Sequence, residues 1–313
     1  MDTIAVVLRQ PEQIELNRLA LTAPTPEDVV VDVEWSGVST GTERLLWSGR
    51  MPSFPGMGYP LVPGYESVGR VIEAGSATDL HPGQQVFVPG AKCFGEVRGL
   101  FGASASRLVV PGKRVVPLDQ NLGEHGILLA LAATAYHAIA ARGASVPDCI
   151  VGHGVLGRLL ARISIALRND PPTVWEKNPA RTGGAIDYGV IDPKHDSRRD
   201  YKSIYDVSGD AGLLDSLIGR IAPGGEIVLA GFYSERLSFA FPPAFMREAR
   251  LRIAAEWQPS DLVAIKTLIA SGRLSLDGLI THHHDAQDTS NAYRIAFEDS
   301  ACLKMVLNWS SLS

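Results

Sequence analysis

Residues 148–167 read DCIVGHGVLGRLLARISIAL. An apolar strand (Cys149, Ile150, Val151) runs into the turn Gly152-His153-Gly154-Val155-Leu156-Gly157, and a helix follows with Leu159, Leu160, Ile163 and Leu167 on one face. The first turn of a helix offers unpaired N–H groups, here including those of Val155 and Leu156, and the positive end of the macrodipole, so it attracts an anion. In that setting Gly152 permits the tight turn, Gly154 lets the backbone approach a dinucleotide pyrophosphate, and Gly157 lets helix and strand pack closely. Three glycines alone are a weak pattern. The second apolar strand, Thr173-Val174-Trp175, strengthens it by ending in Glu176, 19 residues beyond Gly157. A carboxylate there accepts hydrogen bonds from the adenosine ribose hydroxyls and repels a 2′-phosphate, which favours NAD over NADP. Lys177 and Arg181 pull the other way, since a cation there can hold a phosphate. His153 is expected beside the pyrophosphate or nicotinamide ribose, or as a solvated turn residue.

The chain has 313 residues, 45% hydrophobic and 20% charged, enough for two domains and a sizeable core. A net charge of −5 without a basic cluster argues against nucleic acid. The start, Met1-Asp2-Thr3, has no basic segment or apolar signal core, and no run approaches the about 20 apolar residues of a membrane span. The run 126–141 carries Tyr136 and His137 and reads as a buried helix. Cys93, Cys149 and Cys302 lie far apart, which suggests reduced thiols. The expected location is cytoplasmic, at most peripheral to a membrane.

Before residue 122 the chain alternates short β segments with Gly and Pro turns: 4–8, 29–35, 68–74, 85–88, 106–110 and 114–117. A short helical piece at 43–47 and a Pro/Gly-rich loop at 52–64 interrupt them. This half reads as a small β-barrel. After residue 122, strands at 149–151, 173–175, 188–191, 203–207, 226–230 and 249–255 interleave with helical stretches. That order implies a doubly wound parallel sheet. A helix at 262–269, another at 290–297 and a strand at 302–307 complete the reading. The expected division is 1–121, 122–256 and 257–313.

Five ordered boxes carry a resemblance. They are Gly37 to Glu43, Val62-Pro63-Gly64-Tyr65-Glu66, Gly152 to Gly157, Ala222-Pro223-Gly224-Gly225 and Leu279-Ile280-Thr281-His282. Together they resemble the medium-chain dehydrogenase/reductase superfamily, the relatives of zinc alcohol dehydrogenase. The resemblance implies an α/β protein, with a GroES-like β-barrel catalytic domain made from both chain ends around a doubly wound Rossmann cofactor domain. Catalytic zinc in that superfamily needs a thiolate in the first box and an imidazole in the second. Here the cysteine column falls on Ser39 or Thr40 and the histidine column on Tyr65, and of the four-cysteine structural lobe only Cys93 remains. No zinc is therefore expected at either site.

Within the superfamily, Ser36 to Glu43, Gly64-Tyr65-Glu66 and the ending Cys302-Leu303-Lys304-Met305-Val306-Leu307 resemble the bacteriochlorophyllide dehydrogenases of bacteriochlorophyll biosynthesis. Those enzymes oxidise the 3-(1-hydroxyethyl) side chain of a chlorin or bacteriochlorin to 3-acetyl with NAD. Without a metal, the alcohol proton must leave through side chains and the developing alkoxide must be stabilised. Tyr65 is the first candidate acid/base partner, against the alternative of an aromatic that fills the vacated imidazole space. Ser39, Thr40 and Thr42 are candidate proton carriers. Glu66 is either a proton acceptor or a structural anchor. His137 is a weaker candidate, since a lone helical histidine is more often a satisfied core group. Lys304 stands where superfamily members place a base on the cofactor phosphates, or is a solvated lysine.

His282-His283-His284 alternate sides of an extended segment, which favours a solvated or interdomain turn over a metal site. Trp47, Met51, Phe54, Met57 and Tyr59 could line a wide apolar cleft or pack against their own loop. Phe232, Tyr233, Phe239, Phe241 and Phe245 are candidates for a homodimer contact. The competing readings are a zinc-free NADPH-dependent quinone or enoyl reductase, and a non-catalytic dinucleotide- or pigment-binding protein. No G-x-S-x-G or G-K-S/T motif points to a hydrolase or P-loop enzyme.

Overall fold

Strand Asp28–Val38 is the hub of the first unit, and its β-branched run Val29-Val30-Val31 explains why it is buried on both faces. In the computed structural model, which describes residues 1–119, 121–168 and 171–312, this strand pairs antiparallel with Ser67–Ala74, Arg107–Pro111 and Met305–Asn308. The seven-stranded sheet then runs outward to His282–Asp285 on one side and to Gln85–Val88 and Val116–Pro117 on the other. A four-stranded sheet holds Gln13–Ala20, Asp2–Gln10, Leu61–Val62 and Arg98–Gly99. Their common core takes Val6, Val30, Val88 and Leu108 from the barrel strands, and Tyr293, Met305 and Trp309 from the far end of the chain.

The second unit carries six strands, all parallel. Their spatial order is Gly189–Ile191, Thr173–Trp175, Cys149–Val151, Tyr201–Asp206, Ile221–Leu229 and Arg250–Ile253. The chain thus starts in the middle, builds outward one way, and returns to build the other way. That is the doubly wound order expected, with its switch point between Cys149–Val151 and Tyr201–Asp206. The crossovers on either side of Gly189–Ile191 hold only single 3₁₀ turns, Pro179–Arg181 and Pro193–His195. Polar anchoring replaces a covering helix there. Asp196 Oδ2 accepts hydrogen bonds from Trp175 Nε1 at 2.7 Å and Tyr201 Oη at 2.5 Å.

Contacts divide the chain into Met1–Ala130 with Ile280–Ser313, and Leu131–Leu279. The sequence pattern alone places the first break at 121/122 and the second at 256/257. Residues 257–279 group with the central unit because their polar atoms are tied to it: Asp261 pairs with His137, and Arg162 donates to the Ser275 and Asp277 carbonyls. Gln13–Ala20, Leu61–Val62, Arg98–Gly99 and His282–Asp285 are strands that the sequence reading did not assign. No described helix is long and apolar enough to cross a membrane. Cys93, Cys149 and Cys302 are all buried.

Candidate active site and cofactor turn

Three strand ends meet at one end of the seven-stranded sheet. Ser39 follows Asp28–Val38, Tyr65 and Glu66 precede Ser67–Ala74, and Lys304 precedes Met305–Asn308. Pairing of Ser36 with Ser67 and of Val38 with Met305 sets this register. Gly37 makes it possible, because a Cβ there would lie 2.5 Å from Glu66 Oε2.

Ser39 Oγ and Tyr65 Oη share a 2.7 Å hydrogen bond, and Thr42 is a further hydrogen-bond partner of the phenol. Burial, then the neighbouring Glu66 charge, push the phenol well above its ordinary value. Tyr65 is therefore a neutral donor and not a phenolate base. Its ring meets Phe101 edge-on at 5.5 Å between centroids. Thr40 lies half-buried in the adjoining turn.

Beneath this pair lie two buried carboxyls. Glu43 accepts from the Ser39 N–H at 2.9 Å and from Tyr293 Oη at 2.5 Å, and burial raises its pKa to about 7. Glu66 is 1% exposed; its Oε2 accepts from Lys304 Nζ at 2.6 Å, while its buried Oε1 has no hydrogen-bond partner among the described residues. Burial raises the Glu66 pKa against the lowering pull of Lys304. Lys304 is itself 1% exposed, which removes the solvated-lysine reading. Its ammonium is spent on a carboxylate.

This donor set does not fit zinc. Ser39 and Tyr65 are hydrogen-bonded to each other, Glu66 is engaged by an ammonium, and neither thiolate nor imidazole stands among them. The three consecutive histidines lie in a strand, not the expected solvated or interdomain turn, and go to three different acids: His282 to Asp299, His283 to Glu124 and His284 to Asp288. The loop aromatics take the second of their two readings. Trp47, Phe54, Met57 and Tyr59 pack with Met51 around Leu8, Leu46, Leu61 and Leu100.

In the central unit, Gly152 has φ +106, and a Cβ on Gly157 would fall 1.9 Å from the Gly152 carbonyl oxygen. Among the described residues, its chain neighbours aside, nothing lies within 4 Å of where a Gly154 Cβ would be. The helix Val155–Arg168 opens there, so the turn keeps a clear approach to a helix N-terminus, as a pyrophosphate requires. Glu176 braces the turn, accepting the His153 N–H at 3.0 Å and the Asn178 N–H at 2.8 Å. Each of its oxygens keeps a lone pair for a ribose hydroxyl. Lys177 lies 3.9 Å from Asp210 on the surface.

His153 is not a solvated turn residue; it is fully buried. Its ring turns into the protein, with Nδ1 2.6 Å from the Arg181 carbonyl and Nε2 2.7 Å from Tyr188 Oη. A carbonyl only accepts, so Nδ1 carries the proton and Nε2 accepts from the phenol. Burial lowers its pKa to about 4, which keeps it neutral. Arg158, also buried, donates to the carbonyls of His153, Arg181 and Gly183. His137 belongs to this unit. Its Nδ1 lies 2.9 Å from Asp261, whose carboxylate also caps the helix Pro259–Ala270.

Glu43 was legible as part of the first box, but nothing local marks Tyr293, 250 residues away, as its partner. Arg158 and Tyr188 carried no motif at all.

The family of alcohol dehydrogenase GroES-like domains matches residues 25–120. Two curated relatives are named 2-desacetyl-2-hydroxyethyl bacteriochlorophyllide A dehydrogenase. That of Rhodobacter capsulatus is 58% identical over 310 residues, and that of Cereibacter sphaeroides 57% over 314, each match covering 99% of both chains. Among solved structures, L-idonate 5-dehydrogenase from Escherichia coli aligns over 98% of both chains, with a TM-score of 0.84 at 18% identity, a likeness of fold. The chain therefore belongs to the alcohol dehydrogenase-like medium-chain dehydrogenase/reductase family, in the branch that holds the bacteriochlorophyllide A dehydrogenases.

Proposed function

We propose that this protein oxidises the 3-(1-hydroxyethyl) side chain of a chlorophyllide or bacteriochlorophyllide to 3-acetyl, with NAD and without catalytic zinc. The full-length likeness to the two relatives carries the substrate class. The Ser39–Tyr65 hydroxyl pair carries the mechanism. Bound at the glycine turn, the nicotinamide cofactor supplies the hydride acceptor. Gly152, Gly154 and the N–H groups of Val155, Leu156 and Gly157 receive its pyrophosphate, and Glu176 receives the adenosine ribose, which sets the preference for NAD. The Tyr65 phenol, kept neutral, donates to the alcohol oxygen and stabilises the developing alkoxide. Ser39 and Thr42 orient the phenol, and Ser39 takes the alcohol proton while passing its own on.

Titration with both nucleotides, with and without a hydroxyethyl chlorin, tests the reading. NAD-dependent formation of the acetyl product is expected. A preference for NADPH with reduction of a conjugated double bond, or binding without turnover, overturns it.

We further propose a homodimer through the edge strand Arg250–Ile253. Leu251 and Ile253 are exposed there, and the preceding helix Phe241–Met246 exposes Phe241, Phe245 and Met246. Sedimentation should give a dimer for the wild type and a monomer for Ile253→Glu.

A further inference from the structure

A relay of neutral hydroxyls needs an end. Neither Ser39 nor Thr42 can keep a proton, and Tyr65 is held as a phenol, so the proton released from the alcohol must pass to a group that can store it. Two carboxyls lie beneath the pair. Each oxygen of Glu43 already accepts one bond, from the Ser39 N–H and from the Tyr293 hydroxyl, and those bonds make it the brace of the Ser39 turn. Glu66 differs: its Oε2 is pinned by Lys304 at 2.6 Å, and its Oε1 is buried with no hydrogen-bond partner. A buried acceptor left unpaired is costly, and more so when charged. The fold accepts that cost next to Tyr65 and reserves Gly37 to make room for the carboxylate.

We infer that Glu66 Oε1 is the terminal acceptor of the alcohol proton, and that Lys304, by engaging Oε2, is the positioning residue that keeps Glu66 a carboxylate with its other oxygen open. This deepens the proposed alcohol oxidation and rests on it. In the step, the carbinol C–H bond breaks with its electron pair leaving as hydride to the nicotinamide dinucleotide. The O–H bond breaks as Ser39 Oγ takes its proton and gives up its own, which crosses to Oε1 over a gap that no hydrogen bond spans at rest. The carbonyl π bond forms, so the carbinol is oxidised, the nicotinamide reduced and Glu66 protonated. The charged and titratable groups around Glu66 are Lys304, Glu43 and Tyr65. Among these only Lys304 favours its ionised form. Without that ammonium the carboxyl binds a proton more tightly and enters the cycle already loaded.

The test uses the full-length protein as wild type, Lys304→Met, Lys304→Arg and Glu66→Gln. Infrared spectroscopy reads the protonated-carboxyl stretch, with Glu66→Gln identifying the Glu66 band, and needs no substrate. At neutral pH the band should be stronger in Lys304→Met than in the wild type, and Lys304→Arg should match the wild type. In NAD-dependent oxidation, Lys304→Met should move the acid limb of the kcat/KM profile upward by a pH unit or more, with the NAD dissociation constant changed less than threefold. Lys304→Arg should restore the profile. Should Lys304→Met fail to fold, Lys304→Gln, whose amide still donates to Oε2, takes its place.

An unchanged Glu66 band in the neutral variants overturns the inference. So does a tenfold loss of NAD affinity with an unmoved acid limb, which would make Lys304 a phosphate contact. Infrared behaviour as expected in a protein that does not oxidise the hydroxyethyl pigment overturns the substrate reading instead.

Discussion

Tyr293 donates its hydroxyl to Glu43 at 2.5 Å, and the other oxygen of the same carboxyl holds the Ser39 N–H. A helix near the end of the chain thus fixes the turn that presents the Ser39–Tyr65 pair. The Glu43 carboxyl is raised to about 7 from 4.5, mainly by burial. Its contribution to stability is complete below the unfolded value and is lost as pH rises through 7. Thermal unfolding of the wild type should therefore fall between pH 4.5 and 7.5 relative to Glu43→Gln, by roughly 3 kcal/mol in all. A constant gap between the two proteins across that range would show that Glu43 is ionised in the fold.

Tyr65→Phe removes the donor but keeps the ring against Phe101. We expect kcat to fall on the order of a hundredfold or more, with NAD affinity and melting temperature held. Ser39→Ala, which frees the phenol to rotate, should cost less. Prolonged dialysis against a chelator should leave the wild-type rate unchanged. Unchanged turnover in Tyr65→Phe would remove the phenol from the mechanism, and loss of activity on chelation would restore a metal to it.

Glu176→Gln removes the charge that opposes a 2′-phosphate. It also leaves one acceptor oxygen where two N–H groups now bond. The kcat/KM ratio for NAD over NADP should drop tenfold or more, with part of the fall coming from poorer use of NAD. A ratio that does not move would place cofactor discrimination elsewhere.

His153 is read as a clamp for the segment 181–188, not as a cofactor ligand. His153→Ala should cost roughly 2–4 kcal/mol in denaturant unfolding at pH 7, from the lost bonds to Arg181 and Tyr188 and the cavity left behind. Because the folded imidazole is held down to about 4, wild-type stability is full above pH 6.5 and falls toward pH 4. The gap to the variant should narrow at pH 5. A gap that widens there would mean the folded ring is charged.

Much of this was readable beforehand because it depends on local rules. The glycine turn, the strands on both sides of it and the acid at 176 follow from periodicity and backbone geometry, and Val29–Val31 announces a central strand. What escaped was non-local. Gln13–Ala20 is a strand because Asp2–Gln10 pairs with it, although its own pattern is too polar to say so. Lys304 looks like any surface lysine until the register sets it beside Glu66. The aromatic loop at 47–59 is equally suited to a substrate wall and to self-packing, and only the presence of Leu8, Leu61 and Leu100 around it decides. His153 carried a motif position but no sign that its ring would turn inward.

The barrel's hub strand borders residues 305–308, and the Trp309 indole reaches back to Ser36 Oγ at 2.8 Å. During synthesis, the Trp35–Val38 stretch on one flank of the hub strand must wait uncovered while the whole central unit emerges from the ribosome, a short open hydrogen-bonding edge of the kind that recruits stray strands. Maturation of the hydroxyl site is accordingly a closing event, timed by arrival of the last segment. A nascent chain stalled before residue 304 would hold a formed glycine turn and no competent reaction centre.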